Sequence, residues 1–137
     1  MTAEEIMSDN VTTVEETAPI SEAVEALSEL YIRHIPVVRG SEVVGMLSDR
    51  DLRSIGLSLV SDIEGLDKVR DRMSDPVSTL MSGDVITIDR SADLTEIIDL
   101  MMEEKVGAIP VVEEDSSDLV GILSYVDVLR AARSALE

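Results

Sequence analysis

Apolar residues recur along this chain at two spacings. Ile20, Ala23, Val24, Leu27 and Leu30 lie three and four apart, which gathers them on one stripe of a helix. Leu94, Ile97, Ile98 and Met101 repeat the stripe further on. Thr17 and Ser91 stand ahead of these stripes as candidate caps. Val11-Thr12-Thr13-Val14 is β-branched and reads as a short strand. Ile35-Pro36-Val37-Val38 reads as another, because it is short and Pro36 would break a helix. Arg39-Gly40-Ser41 is a turn, and Val43–Leu47 is apolar enough to predict a strand buried on both faces. A helix is expected from Ser48 to about Leu59. Gly56, Gly65 and the acids between them break the regularity, and a short connecting helix is expected over 67–73. Thr2-Ala3-Glu4-Glu5-Ile6-Met7 predicts a short helix with Thr2 as cap and acids in its first turn. Pro76-Val77-Ser78-Thr79-Leu80-Met81 predicts its counterpart, with Asp75 as candidate cap and Pro76 in the first turn.

These elements occur twice in the same order. Ile35-Pro36-Val37-Val38 returns as Ile109-Pro110-Val111-Val112, an offset of 74 (109 − 35). The same offset aligns Met7-Ser8 with Met81-Ser82, Thr13 with Thr87 and Glu22 with Glu96. Past Val38 the offset is 76 (121 − 45), so the second copy carries two extra residues. They fall in the polar run Glu113–Asp118, as a hairpin loop allows. Each copy reads helix–strand–helix–strand–strand–helix. The expected division is a first repeat over 1–60, a connecting segment over 61–75 and a second repeat over 76–137. Halves this short bury little core alone, so they are expected to form one compact pair.

Composition narrows the partners. The 137 residues contain no Phe, Trp or Cys and only two tyrosines, Tyr31 and Tyr125, so the core is aliphatic and no disulfide or thiol chemistry is expected. Twenty-nine acidic residues against 11 basic ones give a net charge of −18. Such a surface repels phosphate backbones and anionic bilayers, which argues against nucleic acid and membrane partners. Many acids, two lysines (Lys68 and Lys105) and no cysteine resemble proteins adapted to high intracellular salt, and suggest a halophilic archaeal source. The N-terminus lacks a basic segment followed by an apolar one, and no apolar run reaches membrane-spanning length. A cytoplasmic location is expected.

The candidate chemistry sits at the end of each copy. Gly45-Met46-Leu47-Ser48-Asp49-Arg50-Asp51 and Gly121-Ile122-Leu123-Ser124-Tyr125-Val126-Asp127 both place Ser-x-x-Asp where a strand meets a helix. That is a capping box, and fold stability alone accounts for it. The same geometry suits a ligand, since a carboxylate can accept from two neighbouring hydroxyls and a helix start offers N–H groups to phosphate.

Ile-Pro-Val-Val followed by a hydrophobic strand ending Gly-x-Leu-Ser-x-x-Asp resembles the CBS domain, named after cystathionine β-synthase. Two in tandem resemble a CBS pair, or Bateman module, over essentially the whole chain, with nothing left over for a catalytic domain. The resemblance implies an α/β (α+β) fold of two tandem β-α-β-β-α repeats related by pseudo-two-fold symmetry. It also implies a homodimer and clefts that bind adenosine compounds: AMP, ADP, ATP or S-adenosylmethionine. These are regulatory ligands, so no cofactor is implied. By the resemblance, Asp51 and Asp127 hold ribose, with Ser48 and Ser124 beside the ribose or phosphate. Val11, Thr13, Ile35 and Pro36 would hold the base in one cleft, and Val85, Thr87, Ile109 and Pro110 in the other. Arg33, His34 and Arg50 mark the first copy. Basic residues before this proline resemble those that face phosphates in the γ subunits of AMP-activated kinases. The second copy has Gly107-Ala108 and Val126 instead, so the first site is expected to prefer phosphorylated nucleotides and the second an uncharged adenosine moiety or nothing.

Other constellations fail. Gly40 and Gly45 have Walker-like spacing, but Met46-Leu47 replace the Lys-Ser that phosphate needs. One histidine, His34, cannot serve a nucleophile in both copies. Asp115 and Asp118 lack calcium-loop spacing. Glu15-Glu16, Glu103-Glu104 and Glu113-Glu114 are solvated faces in a chain this acidic. The reading is therefore a non-enzymatic sensor that passes ligand occupancy to a regulated protein. Its dimer interface is expected on Leu52, Ile55 and Leu59, with Val128, Leu129 and Ala132. The competing reading is a ligand-free dimerisation or assembly module whose corners are only caps.

Overall fold

The computed structural model describes residues 1–30, 32–54 and 70–137. They divide into two compact units, Thr12–Val85 and the discontinuous pair Met1–Val11 with Ile86–Glu137. Both are mixtures of helix and three-stranded sheet.

The Thr12–Val85 unit is built on β1 (Val14–Glu15), α1 (Ile20–Glu29), β2 (His34–Arg39), β3 (Glu42–Ser48) and α2 (Asp49–Ser54). The sheet order is β1-β2-β3, with β1 parallel to β2 and β2 antiparallel to β3. Gly40, at φ +66°, turns the β2–β3 hairpin through a backbone region that glycine enters without strain. Ile20, Ala23, Leu27, Ile35, Val37, Leu47, Leu52 and Val77 form the core.

The other unit repeats this plan. A short helix α3 (Ala3–Ile6) comes from the chain's start, followed in sequence by β4 (Ile88–Asp89), α4 (Leu94–Glu104), β5 (Ala108–Val112), β6 (Leu119–Ser124) and α5 (Tyr125–Ala135). The order β4-β5-β6 has the same parallel and antiparallel pairings. Ala3, Ile97, Ile109, Val111, Leu123 and Val128 lie at its centre. The two extra residues of the second copy fall in the loop between β5 and β6, closed by Glu113 N–H donating to the Asp118 carbonyl at 3.0 Å.

Several local expectations are corrected. Val11–Thr13 is not strand: pairing begins at Val14, where parallel β2 offers partners in Val37 and Val38. Thr17 and Ser91 are not caps. Pro19 precedes α1, and the free N–H groups of Ile20 and Ser21 are taken by the carbonyls of Asp75 and Met73 at 2.9 and 3.0 Å. Asp93 caps α4 by accepting from the Glu96 N–H at 2.9 Å, while Ser91 donates to Asp89. Hydrophobic spacing locates a helix but not its first residue, because the cap is chosen by whichever acceptor reaches the free N–H groups. Residues 76–81 form a 3-10 turn (Val77–Thr79) preceded by Pro76, and Asp75 pairs with Arg72 instead of capping. β3 alternates buried and half-buried residues, so it is not buried on both faces. Leu52 and Val128 belong to their own units' cores and Ala132 is half-buried, whereas Leu129 is 63% exposed. Tyr31, Ile55, Gly56, Leu59, Gly65, Lys68 and the start of the expected 67–73 helix lie outside the described residues; residues 70–72 are helical.

One ion pair recurs with its charges reversed. Arg39 Nε and Nη2 donate to Glu16 at 2.6 and 3.2 Å. At the same two positions of the second copy, Arg90 Nη1 donates to Glu113 at 2.7 Å. Arg90 also bonds Glu4, and the two acids push its pKa well above the ordinary arginine value.

Candidate ligand-binding corners

Each corner joins the end of a long strand to a helix start. Ser48 closes β3 and Asp51 lies in the first turn of α2. Asp51 Oδ2 accepts from the Ser48 N–H at 2.8 Å and from its hydroxyl at 3.1 Å, while the Asp51 N–H lies 3.2 Å from Ser48 Oγ. Ser124 and Asp127 reproduce this at 2.9, 3.0 and 3.3 Å. Both aspartates are half-buried. The cap uses Oδ2 in each case, so it orients the carboxylate without consuming Oδ1, although Asp127 Oδ1 lies 3.9 Å from Arg130 Nη1.

The second residue before each proline lies across from the serine. His34 is the register partner of Ser48, and the Asp49 N–H donates to the Arg33 carbonyl at 3.0 Å. Ala108 is the partner of Ser124, and the Tyr125 N–H donates to the Gly107 carbonyl at 2.9 Å. The antiparallel ladder thereby brings Arg33, His34, Ser48 and Asp51 together in one unit, and Ala108, Ser124 and Asp127 in the other. Arg33 and Arg50 are exposed cations. Val11, Val85 and Thr87 are half-buried and Thr13 is exposed, all outside strands. Ile35, Pro36, Ile109 and Pro110 are fully buried, and Ile35 and Ile109 belong to the cores of their own units. Buried side chains leave backbone groups as what this stretch offers to a base.

A profile of the CBS domain matches residues 3–58 and 77–134. The chain belongs to the CBS domain family. Its two matches make it a CBS pair. It is 34% identical over 125 residues to a homoserine O-acetyltransferase of Methanocorpusculum labreanum, covering 90% of this chain and 23% of that protein. It is 30% identical to the CBS domain-containing protein YhcV of Bacillus subtilis, covering 89% and 79%. Among solved structures, the complex of CBSX2 from Arabidopsis thaliana with AMP superposes with a TM-score of 0.81 at 26% identity, covering 99% and 98%. The chain spans less than half the length of several curated relatives it matches, the acetyltransferase among them.

The two corners of this CBS pair differ electrostatically. Burial pushes the His34 imidazole below its ordinary pKa; Asp49 and Asp51 oppose that shift and Arg33 adds to it. A depressed imidazole pKa means that the unfolded chain takes up a proton before the folded one. Stability is therefore expected to fall as pH drops below 6.5, the ordinary histidine value, with a slope of at most about 1.4 kcal/mol per pH unit. Urea unfolding across that range checks this: His34→Gln should flatten the slope above the carboxylate range.

In the second CBS repeat, Thr87 lines an open cavity of about 350 Å³ with Asp89, Glu96, Asp99 and Glu103. Four carboxylates disfavour a phosphate there, but none of Ala108, Ser124 and Asp127 lines this cavity. Glu103 is expected from sequence to be merely solvated; the signal for the cluster is the helical spacing of Glu96, Asp99 and Glu103, which puts them on one face of α4. Among the described residues, no group of three or more His, Cys, Asp or Glu is arranged to hold a metal ion. No helix among them is long and apolar enough to cross a membrane.

Proposed function

We propose that this CBS pair is a sensor of adenosine-containing ligands, AMP, ADP, ATP or S-adenosylmethionine, and that it acts by signalling to a regulated protein. The carrying observation is the twice-built corner, where a half-buried aspartate is held by its serine through one oxygen only. Such a carboxylate is pre-oriented to accept from ribose hydroxyls. The AMP complex of CBSX2 supports the ligand class.

The first corner would select phosphorylated ligands through Arg33, His34 and Arg50. The second, with Ala108 in place of His34 and Val126 in place of Arg50, would take an uncharged adenosine moiety or none. Val11, Thr13, Val85 and Thr87, with the backbone at Ile35-Pro36 and Ile109-Pro110, would hold the base. The role is regulatory, with no catalytic step and no cofactor. A ligand of this kind acts by favouring one of two conformations. A cytoplasmic homodimer is the proposed form. Exposed Tyr125, Val126 and Leu129 on α5 provide the apolar face that the buried Leu52 and Val128 do not.

The ligand-free assembly module remains the competing reading, favoured by the fact that both capping boxes are complete without a ligand. Thermal unfolding in molar KCl against the four adenosine ligands separates the two. A ligand binding only the folded state adds about 2.7 kcal/mol at a hundredfold excess over Kd. A selective rise in Tm is expected with at least one of them. No shift with any, on folded protein, would favour the assembly module.

A further inference from the structure

The two units are each completed by a short segment, and the segments are nearly alike. Ser8 and Ile122 exchange two backbone hydrogen bonds of 2.9 Å, and Ser82 and Met46 exchange a matching pair of 2.9 and 3.0 Å. Met7 lies against Gly121 as Met81 lies against Gly45. These contacts are the same in kind, so neither tells one segment from the other.

Their side chains differ at Ala3-Glu4-Glu5 against Val77-Ser78-Thr79, and Glu4 meets a charged side chain of its unit. The Glu4 N–H donates to the Arg90 carbonyl at 3.0 Å, and the Ser78 N–H donates to the Glu16 carbonyl at 3.1 Å. The backbones correspond, but the side chains do not: Glu4 bonds Arg90, whereas a neutral serine comes to Glu16. Arg90 is shared between Glu4 and Glu113, while Arg39 is engaged by both oxygens of Glu16. We infer that the reversed ion pairs are an address: Arg90 accepts the segment carrying Glu4, and Glu16 rejects it. Exchanged docking would set Glu4 against Glu16, carboxylate to carboxylate, with Arg39 already occupied. The neutral Ser78 tolerates either sheet, so the electrostatic part of the discrimination rests on Glu4, beside the difference in volume between buried Ala3 and Val77.

Because the chain has no cysteine, engineered thiols report docking directly. Ser8, Met46 and Ile122 are each changed to Cys in the full chain, the folded protein is oxidised, and monomeric products are mapped. Hydrogen-bonded antiparallel partners stand at a separation a disulfide can span. With natural charges, the bond should join positions 8 and 122. Glu4→Arg should raise the 8–46 product about tenfold, by loss of attraction at one sheet and its gain at the other. Reversing the whole address with Glu4→Arg, Arg90→Glu, Glu113→Arg, Glu16→Arg and Arg39→Glu together should restore the 8–122 product. Glu4→Ser, which adds no repulsion at Arg90, should give a smaller rise of about threefold, and serves if Glu4→Arg does not fold. An unchanged 8–122 fraction in the folded single variants, or no recovery on full reversal, would overturn the address.

Discussion

Asp51→Asn and Asp127→Asn are expected to weaken adenosine-ligand binding at their respective corners by roughly 10- to 100-fold, since hydrogen bonds to a charged acceptor are worth about 1.5–3 kcal/mol. The fold should survive. Asparagine keeps one oxygen for the Ser48 or Ser124 N–H, and the strand–helix junction is further held by Asp49 N–H to the Arg33 carbonyl and Tyr125 N–H to the Gly107 carbonyl. Alanine would remove the cap as well, at about 1 kcal/mol, and so confound binding with stability. The two substitutions should also differ from each other. Asp51→Asn should chiefly affect phosphorylated ligands, because Arg33 and His34 precede Ile35-Pro36 at that corner where Gly107 and Ala108 precede Ile109-Pro110, and Arg130 at the second corner pairs with Asp127 itself. Titration calorimetry on the two single variants and the double variant measures this. Unchanged affinity in both single variants would refute ribose recognition by these aspartates, whatever the ligand.

Gly121→Ala should be strongly destabilising. A Cβ there would lie 2.2 Å from Met7 Sδ, 2.8 Å from its Cγ and 2.8 Å from the Ser8 carbonyl oxygen. A methionine side chain can swing away. The Ser8 carbonyl cannot, because it holds the Ile122 N–H at 2.9 Å, and moving it breaks the bridge that docks the segment. Overpacking of this kind costs about 1–3 kcal/mol, or roughly 4–12 °C in Tm for a domain of this size. Gly45→Ala meets the same arrangement with slightly more room, at 2.4, 3.0 and 3.0 Å, and should cost less. Adding Met7→Ala should recover only part of the Gly121→Ala loss, because the carbonyl clash persists and methionine packing is lost. A Gly121→Ala protein with the natural urea midpoint would refute this account of the contact.

The repeat was readable because hydrophobic spacing, proline position and the Ser-x-x-Asp signature are local and occur twice. Element type and order followed from it, as did both capping boxes, since their partners are three residues apart. Element starts were less readable. Thr17 and Ser91 have the chemistry of caps, but the α1 start is satisfied by carbonyls of Asp75 and Met73, more than fifty residues away in sequence. The near-continuous apolar run of β3 suggests burial on both faces, yet the strand alternates, because a side chain's burial depends on what lies across from it.

The sequence by itself determined the family, the two-fold internal repeat and the pair of aspartates on which the proposed function rests. Each is carried by residues within a few positions of one another, where chain geometry leaves little choice. Tertiary structure decided that Met1–Val11 completes the unit of the second repeat and that the turn at Val77–Thr79 completes the unit of the first. It also decided that Ile35 and Ile109 give their side chains to the cores of their units, that Pro36 and Pro110 are buried, and that Arg90 is bound by Glu4 across 86 residues. Those outcomes depend on which surfaces meet after the chain has closed long loops, and hydrophobic periodicity carries no record of that choice.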